Sequence, residues 1–171
     1  MEPESVAEHM HRMSICAMLA GAGASTAASG GAKVDVARCV QMAVVHDLAE
    51  ALAGDITPHD GVSDADKRKL EEVSTAQFLF TGVFSSLYPG LWLEYEAGTS
   101  PEARFVKDLD KFEMILQADD YERGALSRLA LLFPVQFDAD LSDFFRSTAG
   151  KFRSPQVQAW DRELREQRER R

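Results

Sequence analysis

Two histidines and two aspartates fall on the apolar faces of helical patterns, where an ionisable side chain needs a compensating partner. His46 and Asp47 are adjacent in the segment VVHDLAEALA, and Glu50 follows four residues after the histidine and three after the aspartate. On a helix that spacing carries all three to one side. Their neighbours are Val44, Val45, Leu48, Ala49 and Leu52, and no Lys or Arg occurs between Cys39 and Ala53. Carboxylates in apolar surroundings must be compensated, here by a basic residue from another element or by a metal ion. His9 has Val6, Met13, Cys16 and Ala20 at three, four, seven and eleven positions' distance, one apolar helix face, so it points inward. His11 faces another side and reads as surface. Asp110 has Val106 four before it and Met114 four after, whereas Asp108 has Arg104 four before and Lys111 three after. Asp110 is therefore expected to be buried and Asp108 solvated.

Two imidazoles and two carboxylates converging from three helices suit a divalent ion of intermediate hardness, with positions left for water and a phosphate oxygen. Structural zinc more usually recruits thiolates. The same spacings also fit a plain helical bundle with a hydrogen-bonded core histidine and buried ion pairs. A second His-Asp pair, His59-Asp60, lies in a turn after Pro58 and has no comparable surroundings.

The elements that must position these residues are helical, because i, i+3, i+4 apolar patterns recur while alternating strand patterns are scarce; the fold class is all-α. A first helix opens at Ser5, three residues before Glu8 in a capping-box spacing, and runs to about residue 20. The small-residue stretch GAGASTAASGGAK, about 21–33, offers no apolar face and is expected to be a flexible loop. A second helix is predicted over about 34–53, ending before Gly54. A third spans about 66–87 with an apolar stripe of Leu70, Val73, Phe80, Phe84 and Leu87. The segment LWLEYEA gives a short helix, Pro101 starts another to about residue 121, and a Leu-rich stretch lies near 126–132. LSDFFRST is a short helix, and a charged one closes the chain over about 155–171, with Glu166 and Arg170 paired at i, i+4.

With 171 residues, the chain can close a single sizeable core, and no composition break divides it. A net charge of −9 argues against a groove for duplex nucleic acid, whose backbone attracts clustered Lys and Arg; a small anion can still be bound where a metal supplies positive charge. No apolar run is long enough to span a bilayer, and the polar start lacks the apolar stretch of a signal peptide, so the expected compartment is the cytoplasm. Cys16 and Cys39 sit in apolar helical patterns and read as small buried thiols.

The segments ESVAEHMHR, VVHDLAEALAGDITP, FVKDLDKFEMILQADDYE and STAGKF, in that order, closely resemble the HD-domain 5′-deoxynucleotidases, over residues 3–152. The resemblance implies a single HD-domain helical bundle that uses one divalent metal to hydrolyse 2′-deoxyribonucleoside 5′-monophosphates to deoxynucleoside and phosphate. Carried over motif by motif, it makes His9, His46, Asp47 and Asp110 the metal ligands, Glu50 the residue that orients or deprotonates the attacking water, and Asp55 the acid for the leaving alkoxide. Arg12, one turn beyond His9, is a candidate phosphate contact. Ligand type leaves cobalt, manganese, magnesium, iron and zinc open. A homodimer is also implied. The family pattern has a further helix ahead of the ESV segment, with an arginine and a tryptophan that contact phosphate and deoxyribose, and the sequence starts without a counterpart for it. Two other readings stand beside this one: an HD phosphohydrolase acting on other nucleotides, and a metal-binding helical protein without turnover.

Overall fold

The computed structural model describes residues 4–22, 27–28, 32–48, 50, 63, 66, 69, 73, 88–128 and 140–171. Among them the chain is helical apart from one minimal ladder. Helix α1, Val6–Ala22, begins at the expected capping box: the Ser5 amide donates to Glu8 Oε2 at 2.8 Å and the Glu8 amide to Ser5 Oγ at 3.2 Å. Its inner face is Met10, Met13, Cys16, Ala17 and Ala20. The stretch expected to be a flexible loop contains two paired dipeptides, β1 (Ala27–Ala28) and β2 (Ala32–Lys33), antiparallel with Ala27 opposite Lys33.

Helix α2, Val36–Val45, is capped by Asp35, whose side chain accepts from the Arg38 amide at 3.2 Å. It crosses α1 closely: a Cβ on Gly21 would meet Val36 Cγ2 at 2.5 Å, so glycine is what lets the two backbones approach. The expectation of one continuous helix through residue 53 needs correction. The His46 amide still bonds back four residues to Met42, but those of Leu48 and Glu50 bond back only three, to Val45 and Asp47. This tightening interrupts regular α-helix at the His-Asp pair, and Glu50 is again helical.

Helix α3, Tyr88–Ala97, ends at Gly98, whose φ of +60° is the left-handed conformation that glycine adopts without penalty. Ser100 then caps α4, Pro101–Arg128, by accepting from the Ala103 amide at 3.0 Å. This helix runs past the predicted end near residue 121 and forms the spine of the molecule, packing on α1, α2 and α3. It buries Phe105, Val106, Leu109, Phe112, Ile115 and Ala118. The short helix α5, Ser142–Thr148, and the closing helix α6, Pro155–Glu169, pack against its other side. Phe145, Phe152, Val157 and Leu164 join the core there, and Arg170 pairs with Glu166 at 2.9 Å as expected.

Three further expectations fail on burial. Asp110, expected to be the buried carboxylate, keeps 35% of its side chain exposed, because it lies at the rim of the cluster formed with His9. Asp108, read as solvated, is 2% exposed, because its Oδ2 accepts from the backbone amides of Arg153 and Ser154, each at 2.6 Å. The compensation comes from a segment 45 residues away, beyond the reach of local spacing. Val73, placed in an apolar stripe, is 54% exposed; the other members of that stripe lie outside the described residues. Ser63 accepts from the Asp66 amide at 3.2 Å, a contact of the kind that caps helix starts.

Candidate metal centre

The site forms where three elements meet: the first turns of α1, the tightened turn after α2, and the middle of α4. His9 Nε2 lies 3.4 Å from Asp47 Oδ2 and 3.5 Å from Asp110 Oδ1. His46 Nε2 is 3.0 Å from Asp47 Oδ2, without hydrogen-bond alignment. One ligand-capable atom from each of His9, His46 and Asp47 falls within a 4.8 Å cluster, and Asp110 adjoins it through His9. Four residues from three segments distant in sequence are thus brought together. Glu50 follows the same turn, half-buried, with its amide bonded to the Asp47 carbonyl. Asp55 and the His59-Asp60 pair lie outside the described residues.

Each imidazole is held from behind. His46 Nδ1 is 3.0 Å from the Ala43 carbonyl oxygen, which can only accept, so Nδ1 carries a proton and Nε2 faces the cluster. That Nε2 is buried without a hydrogen-bond partner, an expensive state for a polar atom in a closed environment. His9 Nδ1 is 2.6 Å from Glu113 Oε2. Asp110 is oriented by Tyr95, whose hydroxyl donates to Oδ2 at 2.8 Å and whose ring packs against His46, tilted by 59°, at 4.7 Å between centroids. Lys107 Nζ lies over the Tyr95 ring, 4.3 Å from its centroid.

The electrostatics ask for a cation. Among the described residues, Asp47 and Asp110 have only imidazoles as cationic partners. Burial alone would lower the His9 imidazole, but hydrogen bonds with Asp110, Asp47 and Glu113 outweigh it and raise it to about 12. Burial would raise Asp47, yet contacts with both histidines hold it well below the usual carboxylate range. Protons fill in for positive charge that the carboxylates demand. A divalent ion would answer the same demand and also use the orphaned lone pair of His46, so the donor set of imidazole nitrogen and carboxylate oxygen fits a metal.

An HD-domain family model matches residues 1–160. The chain belongs to the HD-domain family. Among HD relatives, 5′-deoxynucleotidase HDDC2 of Danio rerio is 40% identical over 174 residues, spanning 99% of this chain and 76% of the relative. 5′-Deoxynucleotidase hdd1 of Schizosaccharomyces pombe is 39% identical over 175 residues, covering 98% and 78%. A solved structure from Magnetospirillum magnetotacticum, named a predicted metal-dependent phosphohydrolase, matches with TM-score 0.67 and 25% identity over 99% of this chain and 79% of that one.

Against the HD frame, reading the sequence missed Glu113 and Tyr95. Glu113 is 1% exposed on its side chain and lies three residues after Asp110 with Leu109 four before it, the same apolar-face signal that singled out Asp110. Tyr95 left no such trace. Arg12, read as a phosphate contact, is directed at carboxylates: Nη2 donates to Glu4 Oε1 at 3.2 Å, and Nε lies 3.2 Å from Glu113 Oε1. Cys16 and Cys39 are buried free thiols, and burial pushes them up to about 11 and about 12, so both stay neutral. No described helix is long and apolar enough to cross a membrane.

Proposed function

We propose that this HD protein is a 5′-deoxynucleotidase that hydrolyses 2′-deoxyribonucleoside 5′-monophosphates, with His9, His46, Asp47 and Asp110 holding one divalent ion. The observation that carries the reading is the buried, unpartnered His46 Nε2 beside Asp47 and His9, in a chain about 40% identical to curated 5′-deoxynucleotidases. When bound, the ion supplies Lewis acidity to a phosphoryl oxygen and to the attacking water.

The chain's own residues do the rest. Asp47 and Asp110 keep the centre anionic enough to retain a divalent cation, and the hydrogen bonds behind both imidazoles keep Nε2 aimed at it. Glu50, one turn beyond His46, orients the water and takes its proton as the P–O bond forms. Asp55 gives a proton to the 5′ oxygen as the bond from phosphorus to that oxygen breaks, so the deoxynucleoside leaves neutral. Arg12 spends Nη2 on Glu4 and Nε on Glu113 while its Nη1 has no hydrogen-bond partner, so it braces the site and keeps a donor for phosphate. A homodimer fits the exposed apolar residues Met18 and Leu19 on α1, 51% and 60% exposed; light scattering behind size exclusion tests it.

The deciding experiment is phosphate release from deoxynucleoside and ribonucleoside monophosphates with added cobalt or manganese. Turnover restricted to the deoxy series is expected. Preference for ribonucleotides or cyclic nucleotides would move the assignment to another HD substrate class, and metal binding without any turnover would leave a non-catalytic protein.

A further inference from the structure

Glu113 is outside the four-residue ligand set, yet it is the most thoroughly buried carboxylate touching it, with 1% of its side chain exposed. Its Oε2 lies 2.6 Å from His9 Nδ1. An ionised carboxylate only accepts hydrogen bonds, so Nδ1 keeps the proton between them, and Nε2 is the nitrogen whose proton a metal ion would displace. Nε2 is also the atom that faces Asp47 and Asp110, at 3.4 and 3.5 Å. The contact spans 104 residues and joins α4 to α1, so it fixes where the histidine sits as well as which way it points.

Glu113 is itself held. Arg12, three residues after His9 on α1, places Nε 3.2 Å from Glu113 Oε1 and spends Nη2 on Glu4 Oε1 at the same distance. The two histidines are therefore supported differently: His46 by the neutral Ala43 carbonyl of its own helix, His9 by a charged carboxylate from another. A carboxylate behind an imidazole fixes its tautomer and makes it a stronger donor.

We propose that Glu113 is a positioning residue: braced by Arg12, it locks His9 in the orientation and tautomer that present Nε2 to the metal, and makes His9 the more strongly binding imidazole of the pair. The inference rests on the metal reading of the site. It is tested by calorimetric titration of cobalt(II) into the full chain as wild type, His9→Ala, Glu113→Gln and Glu113→Ala, with circular dichroism of each metal-free protein. Glu113→Ala should bind about 10- to 100-fold more weakly with an unchanged metal-free spectrum. Glu113→Gln should fall between, since its amide oxygen can still accept from Nδ1 but carries no charge. Should Glu113→Ala not fold, the glutamine variant and the zinc-loaded wild type decide: long-range proton–nitrogen NMR should show the His9 proton on Nδ1. Wild-type affinity in the folded Glu113 variants, or a His9 proton on Nε2 in the zinc form, overturns the inference while leaving the metal reading intact. Failure of the wild type to bind cobalt, or undiminished binding by His9→Ala, overturns the metal reading and this inference with it.

Discussion

Asp47 is the carboxylate shared by both histidines, with its Oδ2 3.0 Å from one imidazole and 3.4 Å from the other, whereas Glu50 begins the next step of the same turn. The two should therefore separate cleanly by mutation. Asp47→Ala is expected to abolish metal binding, and Glu50→Ala to keep the metal while slowing turnover by about 10²- to 10⁴-fold, the range for loss of a general base. Equal metal loss in both, measured by elemental analysis after dialysis, would refute the division of roles. Tyr95→Phe removes the donor to Asp110 Oδ2 but keeps the ring on His46, so metal affinity should fall by about tenfold or more with little change in the urea midpoint of the metal-free chain. At this scale much of the centre was legible, because His9, His46, Asp47 and Asp110 each break an apolar pattern that nothing nearby compensates. Glu113 satisfied the same test and was overlooked. Tyr95 could not have been found this way, since a tyrosine among apolar residues breaks no pattern and its role exists only in the fold.

Among the elements, α4 and the turn after α2 decide the geometry. The tightening at the His-Asp pair was invisible in the sequence: VVHDLAEALA contains no glycine or proline, and its helix-forming residues gave no reason to interrupt the helix before Gly54. Asp108 was misread for the opposite reason, as Arg104 and Lys111 looked like local partners, while the actual donors are backbone amides at the entrance to α6. That arrangement carries a stability prediction. Asp108→Ala strips the acceptor from two amides and should destabilise the chain by about 2–4 kcal/mol, read as a lower urea midpoint with metal-free and metal-loaded protein affected alike. A change below about 0.5 kcal/mol would mean that the entrance to α6 is held by something else. The capping box at Ser5 and Glu8, by contrast, was readable because both partners sit three residues apart.

For the molecule as a whole, ligand binding and proton binding both act on the balance between folded and unfolded chain. A divalent ion that binds the folded centre should stabilise it by about 2.7 kcal/mol at a free concentration one hundred times its Kd, seen as a higher melting temperature that chelator reverses. Acid should act through Glu122, which joins α4 to the closing helices by accepting from Arg168 at 2.7 Å and from the Leu141 amide at 3.0 Å. The Arg168 bond, followed in weight by opposing burial, leaves Glu122 below its ordinary value of 4.5. A depressed folded-state value means that the contribution is complete above the unfolded value and is lost as pH falls through the folded one. Glu122→Gln in the metal-free chain should therefore cost stability near neutral pH and progressively less below about pH 4.5, measured by urea midpoints; an equal cost at both ends would exclude the charge as the cause.

Helix α4 is attached along its length by carboxylates: Asp108 holds the 153–154 segment, Asp110 and Glu113 face the candidate metal centre, and Glu122 holds the closing helices. Because each residue of a helix is turned by about 100° from the last, the inheritance of this stretch is constrained in length more than in spelling. Its outer positions can drift by substitution, but gain or loss of a single codon between Asp108 and Glu122 would swing one set of attachments out of register with the other. Across related genes this segment should therefore accumulate replacements without gaps, while insertions gather elsewhere in the chain.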